Sequence, residues 1–367
     1  MKLMNSNRIV DKSNYVAEIN TVNESEWNTI LDKFDDATIY QTWEYGSIQW
    51  GENNLSHIVI KQGNKIIGAA QCRIIKLPFL KTSILYIMWG PMWHVYNQDI
   101  TPDNFRSVIR AIYQEYVVNR NYIVRLNSPD FNMNNKELRH IIKDEGFYEQ
   151  LSISSYRTLV NDLNPPLEDL LMGLKKKWRE NLRRAKRNGL NIIEGTNDDL
   201  YSAFIALYQE MHKRKRFAEF VDINKFRNIQ KRLANNQKMK ILICEHKGKP
   251  ISGLIYSSIG MRGIPIFSAT GNDGMKLRGS YLLRWHMLEQ LKEKRCLYFD
   301  QGGINPLNNP GGFHFKSGMG GIEVSHLGYF DAYQSVNIYN LFILSNYIRN
   351  IYRTFKIKYS KRKLAIW

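Results

Sequence analysis

Cysteine is scarce in this chain. The 367 residues hold three, Cys72, Cys244 and Cys296, far apart and two of them inside apolar runs, so neither a disulfide framework nor a zinc spacing can be drawn from them. The eight histidines show no metal-ligand spacing, and there is no Gly-x-Ser-x-Gly elbow; no metal is expected. Long hydrophobic runs are absent too. The most apolar stretches, "SILYIMWGPMW" and "VNIYNLFILSNYI", are too short or too interrupted to span a bilayer. The opening "MKLMNSNRIV" lacks the apolar centre of a signal peptide, so the expectation is a cytoplasmic protein, in contact at most with the inner face of a membrane. Acidic residues are in deficit: 34 Asp and Glu against 52 Lys and Arg, a net charge of +18. Such an excess attracts a polyanion, nucleic acid or an anionic membrane, and says nothing about fold.

What is present suits two domains of ordinary size, with 43% hydrophobic and 12% aromatic residues to build their cores. Two segments share one pattern: "HIVIKQGNKIIGAAQCRII" and "ILICEHKGKPISGLIYSSI". Each reads as a strand, a Gly-bearing turn and a second strand, and the pairs Gly63/Gly68 and Gly248/Gly253 share one offset, close to half the chain. Each hairpin is followed by a third strand ("SILYIMWGP"; "IPIFSATG"), a helix ("PDNFRSVIRAIYQEYVVNR"; "GSYLLRWHMLEQLKEKR") and a fourth strand ("YIVRLN"; "CLYFDQGG"). Strand–strand–strand–helix–strand, twice, predicts an internal duplication of mixed α/β sheets with helices packed on them. The expected division is a first domain over residues 1–160, a second over 161–331, and a basic amphipathic segment over 332–367. The join falls where Pro165 and Pro166 open a new helical pattern.

The densest charge lies in "LLMGLKKKWRENLRRAKRNGL". Leu171, Leu174, Trp178, Leu182 and Ala185 follow three- and four-residue steps and predict one apolar helical stripe. Lys176, Arg179, Arg183, Arg184 and Arg187 are among the eight cations on the remainder, which only Glu180 interrupts. Like charges at this spacing repel by a few tenths of a kcal/mol per pair, so the cluster implies an anionic partner, best a phosphate backbone. A solvated helix face is the plain alternative. A second run, Lys213 to Arg216, would add to the same field.

Three blocks taken in order, "YQTWEYGSIQWGE", "KKWRENLRRAKRNGL" and "GSYLLRWHMLEQLKEKRCLYFDQGGI…GGFHFKSGMGG", resemble the Fem family of aminoacyl-tRNA-dependent peptidyltransferases. The resemblance runs from about residue 38 to 330. It implies two tandem acetyltransferase-like (GNAT) domains and transfer of an amino acid from aminoacyl-tRNA to an amine of a peptidoglycan precursor, nucleotide- or lipid-linked, with no covalent enzyme intermediate and no cofactor. The lysine of the family's Phe-Lys motif falls on Lys316, preceded by Phe315; it would stabilise the oxyanion of the tetrahedral intermediate. The family tyrosine at the start of the preceding helix falls on Tyr281 and would contact substrate. Gln41, Trp43 and Gln49 fall in the precursor-binding pattern, with a neutral amide at Gln49 where the family usually carries lysine. Arg214 would add to substrate binding, and Asp300 falls on the family's Asp-x-Gly-Gly position or simply caps its loop.

Two rival readings remain open. An acyl-CoA-dependent N-acyltransferase acting on a cell-envelope or polysaccharide substrate would use CoA, held at the junction "GMKLRGSY"; Tyr281 is bulky where the backbone must approach pyrophosphate. A non-catalytic RNA- or membrane-surface-binding protein would use the basic tail "SNYIRNIYRTFKIKYSKRKLAIW" as an amphipathic anchor, unless that segment starts as a helix packed on the first domain. The stretch "QGGINPLNNPGG" predicts a flexible loop carrying the lysine motif.

Overall fold

The computed structural model describes residues 8–10, 15–77, 81–128, 135–215, 221–345 and 348. The apolar alternation of the first half gives β1 (Arg8–Val10), β2 (Val16–Ile19), β3 (Leu55–Gln62), β4 (Lys65–Leu77), β5 (Thr82–Met88), β6 (Ile123–Ser128) and β7 (Tyr148–Glu149). β8 (Arg157–Asp162) closes that half, and the second half gives β9 (Leu190–Gly195), β10 (Lys240–His246), β11 (Lys249–Ser257), β12 (Arg262–Thr270), β13 (Tyr298–Asp300), β14 (Ile322–Ser325) and β15 (Gly328–Ala332). The helices between them are α1 (Glu24–Leu31), α2 (Trp43–Trp50), α3 (Pro102–Ile112), α4 (Asn135–Asp144), α5 (Leu167–Gly173), α6 (Lys176–Arg187), α7 (Asp198–Lys215), α8 (Ile223–Arg232), α9 (Asn272–Leu277), α10 (Gly279–Glu293) and α11 (Pro310–Ser317).

The repeat read from the sequence is present in the strand order. The first sheet runs β1-β2-β3-β4-β5-β6-β15-β7 and the second β14-β8-β13-β12-β11-β10-β9. In both, a hairpin is followed by an antiparallel third strand, and then by a parallel fourth strand that a helix connects. The hairpin turns match as well: Gly63 and Gly248 sit at φ +57° and +75°, the left-handed region that glycine enters without a Cβ penalty.

The ends of the halves are exchanged. β8 follows β7 in the chain but enters the second sheet between β13 and β14, while β15, placed with the second domain by the sequence reading, enters the first sheet between β6 and β7. Each half thus donates an interior strand to the other. A core of Trp27, Leu31, Phe34 and Met92 from the first half with Tyr201, Phe204, Phe226 and Phe267 from the second joins the two sheets further.

Two more expectations are corrected. The basic stretch is two helices: Leu174 leaves the helical region at ψ 143°, and α5 and α6 meet there at an angle the periodicity does not reveal. The lysine motif rides on α11, where Asn309 caps the N-terminus and Pro310 occupies the first turn, rather than on a flexible loop. Beyond β15, residues 336–345 are helical; Tyr339 and Phe342 bury against Ile84 and Ile123 of the first sheet. This start packs on the first half, while most of the basic tail lies outside the described residues. Among the described residues no helix is long and apolar enough to cross a membrane.

Candidate active site

The strand β13 delivers Asp300 to the head of a tight loop. Its carboxylate is fully buried; Oδ1 accepts from Thr158 Oγ1 and from the Gly302 N–H at 2.8 Å. Burial raises its pKa, and the Arg262 charge opposes that rise. Asp300 therefore acts on the loop and does not line the cavity described below. With Gly302 turned to φ +80°, the carbonyl oxygens of Gly302 and Gly303 both receive Lys316 Nζ, at 2.9 and 2.7 Å.

The helix α11 brings Lys316 to those carbonyls, and α6 braces α11. Trp178 Nε1 donates to the Phe315 carbonyl oxygen at 3.1 Å, and the Lys175 N–H donates to the Gly318 carbonyl at 2.9 Å. Burial, then the charge of Arg284, lower the Lys316 pKa to about 8. A lysine so tuned is still charged at neutral pH but poorly solvated, the state in which a fixed cation acts most strongly on developing negative charge.

Lys316 and Phe315 line a cavity of about 510 Å³ between the halves. Its wall includes Tyr40 and Tyr156 on one side and Ile264, Phe267 and Met275 on the other. Among the described residues four cations line it, Arg214, Lys215, Arg284 and Lys316, and no Asp or Glu does. Arg214 is held in place, donating to Asn272 Oδ1 at 2.8 Å and the Thr270 carbonyl at 2.7 Å. Of the run Lys213 to Arg216, Lys213 is exposed at the end of α7 and Arg216 lies outside the described residues. A second cavity of about 370 Å³ shares Tyr40 and Ile266 with the first and is lined by Gln49 and Lys225. Lys225 of α8 and Asp222 line that cavity together with Gln49.

Other residues singled out by the sequence lie elsewhere. Gln41 is buried, accepting from the Gln71 N–H at 2.8 Å and donating to the Met88 carbonyl at 2.8 Å, so it joins β4 to the end of β5. Trp43 stacks on His57 with centroids 4.1 Å apart. The Tyr281 ring packs against Trp178 and Phe315, both with centroids 5.0 Å away, and does not line the cavity. With that ring turned into the core, its bulk no longer stands between the α10 N-terminus and a phosphate. On α6, Lys176, Arg183, Arg184 and Arg187 are exposed. Arg179 instead spans the α5–α6 break, donating to the carbonyls of Met172 and Leu174.

Sequence reasoning missed Tyr40, Tyr156 and Arg284, while Lys215 belongs to the basic run it had singled out. For Arg284 a signal existed. Leu277, Tyr281, Arg284, Leu288 and Leu291 follow three- and four-residue steps, so the arginine occupies a core position of α10.

A family model described as acetyltransferase (GNAT) domain matches residues 174–317. Among solved structures, FemX superposes over 88% of this chain and 99% of its own, with a TM-score of 0.73 at 15% identity. An Agrobacterium fabrum domain assigned to lysylphosphatidylglycerol synthetase, the C-terminal domain of that protein, superposes over 86% of this chain and 93% of its own, with a TM-score of 0.52 at 10% identity. No curated protein matches the sequence. At these identities the likeness is one of fold. With the repeated strand order, it makes the architecture two GNAT-like domains in tandem, the arrangement that the Fem resemblance implies.

Proposed function

We propose that this chain, built on the FemX fold, is an aminoacyltransferase that moves an amino acid from aminoacyl-tRNA to an amine of a cell-wall precursor. The observation that carries the reading is Lys316: an ammonium of lowered pKa, held by two backbone carbonyls, at the wall of a cavity that among the described residues is lined by cations and by no carboxylate. Attack of the acceptor amine on the ester carbonyl forms a tetrahedral intermediate whose oxygen is negative. Lys316 stabilises that oxygen, collapse breaks the bond to the ribose oxygen of the tRNA, which takes up the proton the amine gives up, and an amide and a free ribose hydroxyl remain. Phosphates of the precursor would lie along the joined cavities, with Arg214, Lys225 and Gln49 as their partners, and the exposed face of α6 would receive tRNA phosphates. Tyr281 contributes by packing against Phe315 rather than by touching substrate.

The test is transfer of labelled amino acids from a charged tRNA pool to a nucleotide-linked and to a lipid-linked peptidoglycan precursor. Ribonuclease-sensitive labelling of either supports the reading; no labelling, with acetyl transfer from acetyl-CoA to an amine instead, overturns it. That second reading has one observation in its favour, the packed position of the Tyr281 ring, which leaves the N-terminus of α10 open to phosphate.

A further inference from the structure

Among the four cavity cations Arg284 is the one that is both buried and left with a single long hydrogen bond among the described residues. The residue is 6% exposed and lines the cavity beside Lys316. Nη2 reaches Ser268 Oγ at 3.3 Å, and Nη1 is buried with no hydrogen-bond partner among the described residues. Its other neighbours are the rings of Phe299 and Phe315, centred 5.7 and 5.9 Å from the guanidinium carbon. Among the described residues no carboxylate pairs with it. Asp300, the acid whose charge reaches Lys316, is turned to Thr158 and the Gly302 N–H. Burial alone pulls the Arg284 pKa down to about 10. A desolvated cation without a counter-charge is costly, and here a second cation stands against it.

We propose that Arg284 forms a subsite for a carboxylate group of the acceptor substrate, seated on Nη1 beside Lys316, whose one N–H not given to the Gly302 and Gly303 carbonyls stays with the oxyanion. A transient oxyanion would leave the buried guanidinium uncompensated through the rest of the cycle, whereas a carboxylate supplies a lasting counter-charge and matches the planar donor edge. In an aminoacyl ester the carboxyl is already esterified and the free group is an ammonium, which two cations repel. The subsite therefore belongs to the acceptor, which would carry its amine and a carboxylate within one amino-acid-like unit. The assignment to the acceptor rests on the transfer proposed above; the anion subsite itself does not.

The test is equilibrium binding, read as the thermal unfolding midpoint of the full chain titrated with sodium acetate at constant ionic strength in chloride. Acetamide serves as the neutral isostere and inorganic phosphate as the alternative anion. Acetate is expected to raise the midpoint saturably, as a ligand specific to the folded state does, and acetamide to leave it unchanged. Arg284→Gln and Arg284→Met should each abolish the acetate response, with a basal midpoint at or above that of the wild type. An acetate response no greater than acetamide's, or one that persists in both variants, overturns the proposal; so does a response to phosphate alone. If one variant fails to fold, the other decides the place of binding, and a wild-type chain without an acetate response overturns the proposal by itself. Acetate binding without aminoacyl transfer would refute the transferase reading and leave the anion subsite standing.

Discussion

The indole Nε1 of Trp178 donates to the Phe315 carbonyl oxygen at 3.1 Å, and through that bond the basic helix holds the residue next to Lys316. α11 has only eight residues, too few to be stable by itself, so its position depends on such braces. Trp178→Phe keeps most of the apolar contact and deletes the donor. It should lower stability by about 1 kcal/mol and reduce kcat by roughly tenfold, with KM little changed, because a small misplacement of a catalytic group is expensive. Parallel thermal unfolding and initial-rate measurements check this; unchanged kcat would mean that α11 holds its own place.

Lys316 gives the pH dependence. Its pKa stands at about 8 in the folded chain against the ordinary 10.5, through burial and the Arg284 charge. Below about 8 the group is charged in both folded and unfolded chains, and the cost of burying that charge is present in full. Between about 8 and 10.5 the folded chain has released the proton while the unfolded chain retains it, so stability rises with pH across this window. Activity moves the other way: an ammonium is required, so kcat/KM should fall as pH rises through about 8. Lys316→Met should remove the stability slope in this window. A bound anionic substrate moves the limb in kcat to higher pH.

The tandem architecture was legible because its signals are local. The period-two strands and the turn glycines Gly63 and Gly248 mark both hairpins, and the same five elements recur around them. The strand exchange was not, because the "GYFDA" strand carries nothing that names its neighbour; that is decided by Arg125, 206 residues away. α11 was read as a loop since Pro310, Gly311 and Gly312 are poor helix formers, and the Asn309 cap and the Trp178 brace override that preference. Lys316 was found through its motif, whereas Arg284 was passed over although its spacing was visible. A charged residue in a core stripe is easily taken for a surface one.

The exposed cations of α6 should carry nucleic-acid affinity. Reversing Lys176, Arg183, Arg184 and Arg187 to Glu, and leaving Arg179 to hold the α5–α6 turn, should weaken tRNA binding by more than 100-fold at low salt while the fold stays intact. Contacts of this kind release counterions, so wild-type affinity should fall steeply with salt and that of the variant should fall less. Filter binding across a salt series measures both. Equal slopes would remove α6 from the interface and leave it a solvated face.

The last prediction tests the exchanged strand. Arg125 on β6 donates from Nε and Nη2 to the two carboxylate oxygens of Asp331 on β15, at 2.7 and 2.6 Å, and Tyr339 Oη adds a bond to Oδ2 at 2.7 Å. The pair is nearly inaccessible, with side chains 9% and 0% exposed, and Arg125 also lies over the Phe342 ring. Asp331→Asn keeps the size but leaves the guanidinium buried without its counter-charge, a loss of about 3–5 kcal/mol. Because β15 is contributed by the chain segment that follows the second sheet, the damage should not stay in the first half. Releasing β15 exposes the β6 edge, frees residues 336–345 from Ile84 and Ile123 and takes Phe330 and Ala332 out of the first-half core, and the core formed by residues of both halves couples that loss to the second. Denaturant unfolding should therefore show one transition for the wild type and one, at a lower midpoint, for the variant, whether followed by tryptophan fluorescence or by circular dichroism. Two separated transitions in the variant would mean that the second half stands without the first. The double substitution Arg125→Met with Asp331→Leu distinguishes charge from packing: it removes both members of the pair, so it should recover much of the loss, and its failure to do so would assign the cost to the shape of the site instead.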